Sequence, residues 1–246
     1  MLAGLWHEAA SLARDAGLQA VESAAMLRDL LDLIHRPVSA LRAIDTKRRL
    51  PDGLLALGLS VILPAIASEL AALGPFRPPA NLGSLPSLTA QGADLYARWT
   101  YEHRFLLPLY GILASVAIWL LAALLIHLIA RALGGRAEFA GYLKLVGFIA
   151  LVGLLALPIA LLDALIKLQG NAPLELTVGQ LAGLVSLAIF IYQNILLVLA
   201  ARLHYQFSTE RAVAAVVGPI GIVVVLALAL VVVAIVLLVL TQQVPL

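Results

Sequence analysis

Cysteine is absent from the chain, charge is scarce and aromatic side chains are few. Without cysteine there is no disulfide, no thiolate metal site and no cysteine nucleophile, although the redox compartment stays open. Charged residues make up 12% and aromatic residues 6%, where a soluble domain carries about 25% charged residues. The short catalytic motifs are missing too. There is no His-Glu-x-x-His, no Gly-x-Ser-x-Gly and no phosphate loop. Gly218-Pro219-Ile220-Gly221 follows no strand pattern, so it reads as a helix bend and not a nucleotide fingerprint. The five histidines, His7, His35, His103, His127 and His204, fall on both expected membrane faces, which excludes one metal site built from most of them. Basic residues are too dispersed to form a nucleic-acid footprint. No catalytic residue, cofactor, metal or nucleic acid is expected.

What the chain does have is apolar surface. Hydrophobic residues make up 63% and the mean hydropathy is +1.04. A water-soluble core cannot absorb that excess, so lipid must be the solvent for much of the surface. Glu8, Arg14 and Asp15 interrupt the N-terminal region, which does not read as a cleavable signal. A transmembrane helix takes about 20 apolar residues. Runs of that kind occupy 53–73, 105–130, 141–166, 178–201 and 212–240. The expected fold is all-α, a polytopic integral membrane bundle of five transmembrane helices with an N-terminal amphipathic segment. The second and third runs form a hairpin across the link Arg131–Ala140, where Gly134-Gly135 suits a left-handed helix end.

Residues 1–52 read as an amphipathic segment followed by a basic stretch, Lys47-Arg48-Arg49, at the membrane surface. Pro37 suits the first turn of a short helix over 38–45. The loop at 74–92 is rich in Gly, Pro, Ser and Asn. It leads to a short interfacial helix over 94–104, whose Tyr96, Trp99, Tyr101 and His103 suit an aromatic belt. A second loop is expected over 169–177, and 241–246 is a short tail. Lys and Arg concentrate on the side of residues 1–52 and of the second and fourth links. The N-terminus is therefore expected in the cytoplasm and the C-terminus outside a cell membrane.

Polar residues at membrane depth are the candidate functional positions. Tyr192, Gln193 and Asn194 fall together near the middle of the fourth run, and such groups cost free energy in lipid unless bonded. Interhelical bonding and the lining of a polar cavity are the two readings. Asp163 and Lys167 share a helix face and can pair, or Asp163 can serve an ion path. His127 lies a turn before Arg131, as a helix-end residue or a ligand.

Several short motifs resemble the Yip family, and in particular its prokaryotic Yip-one-domain members. They are His35-Arg36-Pro37-Val38-Ser39-Ala40-Leu41-Arg42-Ala43-Ile44, then Leu133-Gly134-Gly135-Arg136-Ala137-Glu138-Phe139, then Gly147-Phe148 through Pro158, and Ser208-Thr209-Glu210-Arg211-Ala212. Their order around five runs carries the likeness, which covers about residues 30–240. The resemblance implies a five-span helical domain with a cytoplasmic N-terminus, in which Pro37, Gly134, Gly135, Phe139 and Pro158 are structural, and it brings no cofactor or catalytic residue. Eukaryotic members bind prenylated Rab-type GTPases and shape membranes. This chain has a short N-terminal segment and carries Leu41 where an aromatic residue is usual. Its Ala/Leu-rich composition looks bacterial, where Rab proteins are absent, so a GTPase partner is not expected.

The expected function is that of a non-enzymatic membrane protein that organises lipid or binds a partner, either another membrane protein or a second copy. The alternative is a small transporter or permeation module with a polar path near Gln193 and Asn194, to which His127 and Asp163 contribute.

Overall fold

A computed structural model describes residues 25–74, 76, 87–170, 172–219 and 221, with the side chains of 87–90 and 172–173 left aside. These residues are almost entirely helical. In chain order they form α1 (25–35), α2 (Pro37–Lys47), α3 (Leu50–Ala72), α4 (Ser87–Glu102), α5 (Leu107–Ala132), α6 (Phe139–Leu151), a 3₁₀ turn (Val152–Ala156), α7 (Leu157–Gln169) and α8 (Ala172–His204). A further helix, α9 (209–219), follows.

Among the described residues, four helical stretches are long and apolar enough to cross a membrane: Leu50–Ala72, Leu107–Ala132, Phe139–Gln169 and Leu174–His204. The chain is thus a multi-pass membrane protein. The expected fifth run, 212–240, lies mostly outside the described residues, as do the amphipathic residues 1–24.

Local chemistry sets where each helix starts. α3 begins before the expected residue 53 because Pro51 fits the first turn and the Asp52 carboxylate accepts the Arg49 N–H at 2.9 Å. The loop expected over 169–177 shrinks to a tight corner. Gly170 ends α7 at φ 82°, and α8 starts at Ala172, with Pro173 tolerated in its first turn. α4 begins at Ser87, earlier than the expected 94. At the hairpin, Gly134 takes φ 95° and the Gly135 N–H bonds the Ala130 carbonyl at 2.9 Å, the expected left-handed end. Glu138 precedes the first turn of α6 as its N-cap and does not lie within it.

The third span is interrupted. Pro158 has no N–H to give the Leu154 carbonyl, and the ladder tightens into the 3₁₀ turn Val152–Ala156 before α7 resumes. No such break was expected from the sequence, which places a proline there but cannot show how the backbone around it adjusts.

α6 is the centre of the molecule. Every residue from Tyr142 to Val152 is buried, among α2, α3, α5 and α8. α3 crosses it backbone to backbone. A Cβ on Gly53 would stand 2.6 Å from the Lys144 Cα, and a Cβ on Gly147 would collide with the Gly53 carbonyl.

The helix lengths place the bilayer. At their far ends the spans are level: the Arg104 guanidinium donates to the Ala72 carbonyl at 3.0 Å, and Gly74 lies against the Lys167 carbonyl. From that level α3, with 23 residues, rises about 35 Å, enough to cross a hydrocarbon core of about 30 Å. The two 31-residue spans rise about 46 Å. Their surplus, the first turns of α6 and the last turns of α8, extends past the start of α3 on the side where α1 and α2 pack. By the same measure Tyr192, Gln193 and Asn194 stand level with the start of α3.

At the far side α4 supplies the aromatic girdle. Tyr96, Trp99 and His103 stack in sequence, and Tyr96 and Trp99 are exposed.

Candidate functional site

The emergent ends of α6 and α8 meet α2 in a compact polar cluster. Lys144 is only 7% exposed. Its ammonium donates to the Asp45 carbonyl at 2.5 Å and lies 3.6 Å from the Asp45 carboxylate. His204 closes the other side, with Nδ1 3.4 Å from Asp45 and Nε2 2.9 Å from the Glu138 carbonyl. A carbonyl only accepts, so Nε2 carries hydrogen. Gly141 makes room for this ring, since a Cβ there would stand 2.5 Å from the imidazole.

Aromatic rings pack behind the cluster. His127 Nδ1 meets the Tyr205 hydroxyl at 2.7 Å, and Phe139 lies 5.3 Å from the His127 ring. Tyr205 also packs on Tyr142 and Phe207. Burial pushes the Tyr205 phenol well above its ordinary range, against a smaller opposing effect of Arg131, so it stays a neutral hydroxyl. The Tyr142 hydroxyl is buried without a partner among the described residues.

α1 is tied to the same end. Arg48 pairs with Asp29, its Nε at 2.8 Å from the carboxylate, and lies over the Phe148 ring. The Tyr192 hydroxyl donates to the Leu33 carbonyl at 2.7 Å. α1 and α2 thus form a cap fastened by one charged pair to its own connection, one to α6, and one hydroxyl from α8.

The residues singled out in the sequence do not converge on one site. Tyr192 serves the cap. Gln193 is buried, and its amide donates to the Ile149 and Ala150 carbonyls at 3.3 Å each, next to the 3₁₀ turn. Asn194 donates back to Phe190 of its own helix at 2.8 Å. Asp163 pairs with Lys167 at 2.7 Å, far from the rest. His127 alone joins the aromatic group. Among the family-like positions, Pro37 opens α2, Gly134 and Gly135 turn the hairpin, Phe139 packs on His127, and Pro158 opens α7.

Asp45, Lys144 and His204 escaped the sequence reading as a group. They lie in three separate segments, and no periodicity links them. The one signal was Lys144, a charge just inside an apolar run. Among the described residues no group of three or more His, Cys, Asp or Glu is placed to hold a metal ion.

Beside the cluster a groove of about 610 Å³ opens between α2 and α8. Val38, Arg42, Asp45, Thr46, Leu199, Arg202, Leu203, Gln206 and Phe207 line it.

A family model described as the Yip1 domain matches residues 31–241. No curated protein and no solved structure matches the chain.

Proposed function

The chain belongs to the Yip1 domain family, and from that premise we propose that it is a non-enzymatic membrane protein of the prokaryotic branch, one that organises lipid or binds a partner in the bilayer. The reading includes five spans, a cytoplasmic N-terminus, an extracytoplasmic C-terminus and residence in a bacterial cell membrane. The bias of Lys and Arg toward the α2 side supports that orientation.

One observation carries the reading. The α1–α2 cap is fixed to the spans by Asp29–Arg48, Asp45–Lys144 and Tyr192–Leu33, yet Leu27 and Leu31 on its outer face are 58% and 48% exposed. A rigid cap with an apolar ridge at the membrane surface suits adhesion to lipid or to a second membrane protein, including a second copy. Of the two amides placed on a polar path, that of Gln193 is spent on the backbone of the third span and that of Asn194 on its own helix. The transport alternative gains nothing from them.

Photo-crosslinking from positions 27 and 31 of the full chain in its native membrane tests the proposal. A reproducible adduct with one protein, or with lipid, is expected. An unreactive ridge, together with unchanged lipid order on deletion of the chain, would argue against it.

A further inference from the structure

We infer that the groove between α2 and α8 is a binding site for the headgroup of an anionic phospholipid, with Arg42 and Arg202 as its phosphate ligands. This inference rests on bilayer embedding alone, so it stands or falls apart from the partner-binding role.

The charge in the groove is uncompensated. Arg42 and Arg202 are both exposed, and among the described residues neither makes an ion pair. Asp45 is the one carboxylate on the described lining, and it is already engaged by Lys144 and His204. A second hollow shares Val38 and Arg42 with the groove and adds Arg36, which is likewise without an ion pair among the described residues. Three guanidinium groups therefore line two adjoining hollows that share Val38 and Arg42.

The rest of the lining is amphipathic in the way a lipid requires. Val38, Leu199, Leu203 and Phe207 give it apolar walls, while Thr46 and Gln206 give it neutral polar groups. Its level is also right. Leu199 lies a little more than one turn past the point where α8 leaves the hydrocarbon, which is the headgroup layer. Long arginine side chains at that level reach phosphate while their stems stay against apolar surface.

Gln206 supplies an independent mark. It has φ 55°, the left-handed region, and among the described residues it is the one non-glycine with positive φ. It occupies the position past the end of α8 where glycine is usual, and the Phe207 N–H bonds the Arg202 carbonyl across it at 3.0 Å. A glycine would close this turn with less strain. Glutamine there instead sets an amide on the groove wall, and strain of this kind accumulates where a side chain has work to do.

The test uses the full chain in nanodiscs of mixed phosphatidylglycerol and phosphatidylcholine, with bound lipid read by native mass spectrometry. The expected result is a preference for phosphatidylglycerol of about thirtyfold, in keeping with two arginines near an anionic surface. Arg42→Gln/Arg202→Gln should reduce that preference to about fivefold or less, what Arg36 alone supplies, and Arg98→Gln, on the far side, should leave it intact. In the unmodified protein, hydrogen exchange should slow at α2 and at the end of α8 when phosphatidylglycerol replaces phosphatidylcholine; this arm does not depend on any variant folding. An undiminished preference in the double variant would overturn the inference, and so would exchange that does not respond to the headgroup. Displacement of phosphatidylglycerol by millimolar inorganic phosphate would also overturn it, because the groove would then be a site for the free anion and not for a lipid.

Discussion

Gly147 shows how much one hydrogen atom in place of a methyl group can decide. Its Cα lies against the Gly53 backbone, and neither partner can swing aside as a side chain could. Gly147→Ala should therefore destabilise the protein by about 2–3 kcal/mol or more, measured as a fall in melting temperature in detergent. Gly58→Ala makes the contrast. A Cβ there meets nothing within 4 Å, and the gain in helix propensity of up to about 1 kcal/mol should leave stability unchanged or raised. The sequence shows Gly147 only as a small residue inside an apolar run. It does not name the partner, because the other glycine lies on a different span. Gln193 repeats the lesson. Its need for a bond is plain from its apolar surroundings, but its partners are backbone carbonyls of another span, beside a helix break that only the fold reveals.

At the scale of elements, a few proline and glycine positions were the readable part, while the starts of α3, α4 and α8 were not. Pro37, Pro158 and the Gly134-Gly135 turn stand where their backbone chemistry puts them. Pro173 misled, because a proline in a first turn and a proline in a loop look alike in sequence. The cap was the hidden part. Lys144 reads as a charge near a helix end and proves to be buried, because α2 lies over it and brings Asp45. Asp45 is 32% exposed, so removing its charge should cost less than breaking a fully buried pair. Asp45→Asn should lower stability by about 1–3 kcal/mol by stranding the Lys144 ammonium. Asp45→Asn/Lys144→Met should recover most of that loss, since no buried charge remains. Chemical denaturation of the three proteins in one detergent measures both effects, and additive losses in the double variant would refute the coupling.

For the whole molecule the central claim is one of depth. Composition alone points to a membrane protein, and hydropathy marks its apolar runs, but a window of apolar residues cannot tell lipid-facing surface from a helix buried under a cap. Residues 195–201 read as membrane because Leu, Val and Ala dominate them; in the structure Leu196, Leu197, Ala200 and Ala201 are buried in the core where α8 meets α6 and α2, and Leu199 lines the groove. The absence of cysteine from the chain makes the question directly measurable. Single cysteines can be placed at Leu199, which lies inside the run that hydropathy assigns to the bilayer, and at Leu187, exposed deep within the same helix. Each full-length variant is held in a phosphatidylcholine nanodisc and treated with a charged, membrane-impermeant maleimide. The account predicts rapid labelling at position 199 and none at position 187 until the protein is denatured. Equal protection at both positions would place the end of α8 in hydrocarbon and contradict it.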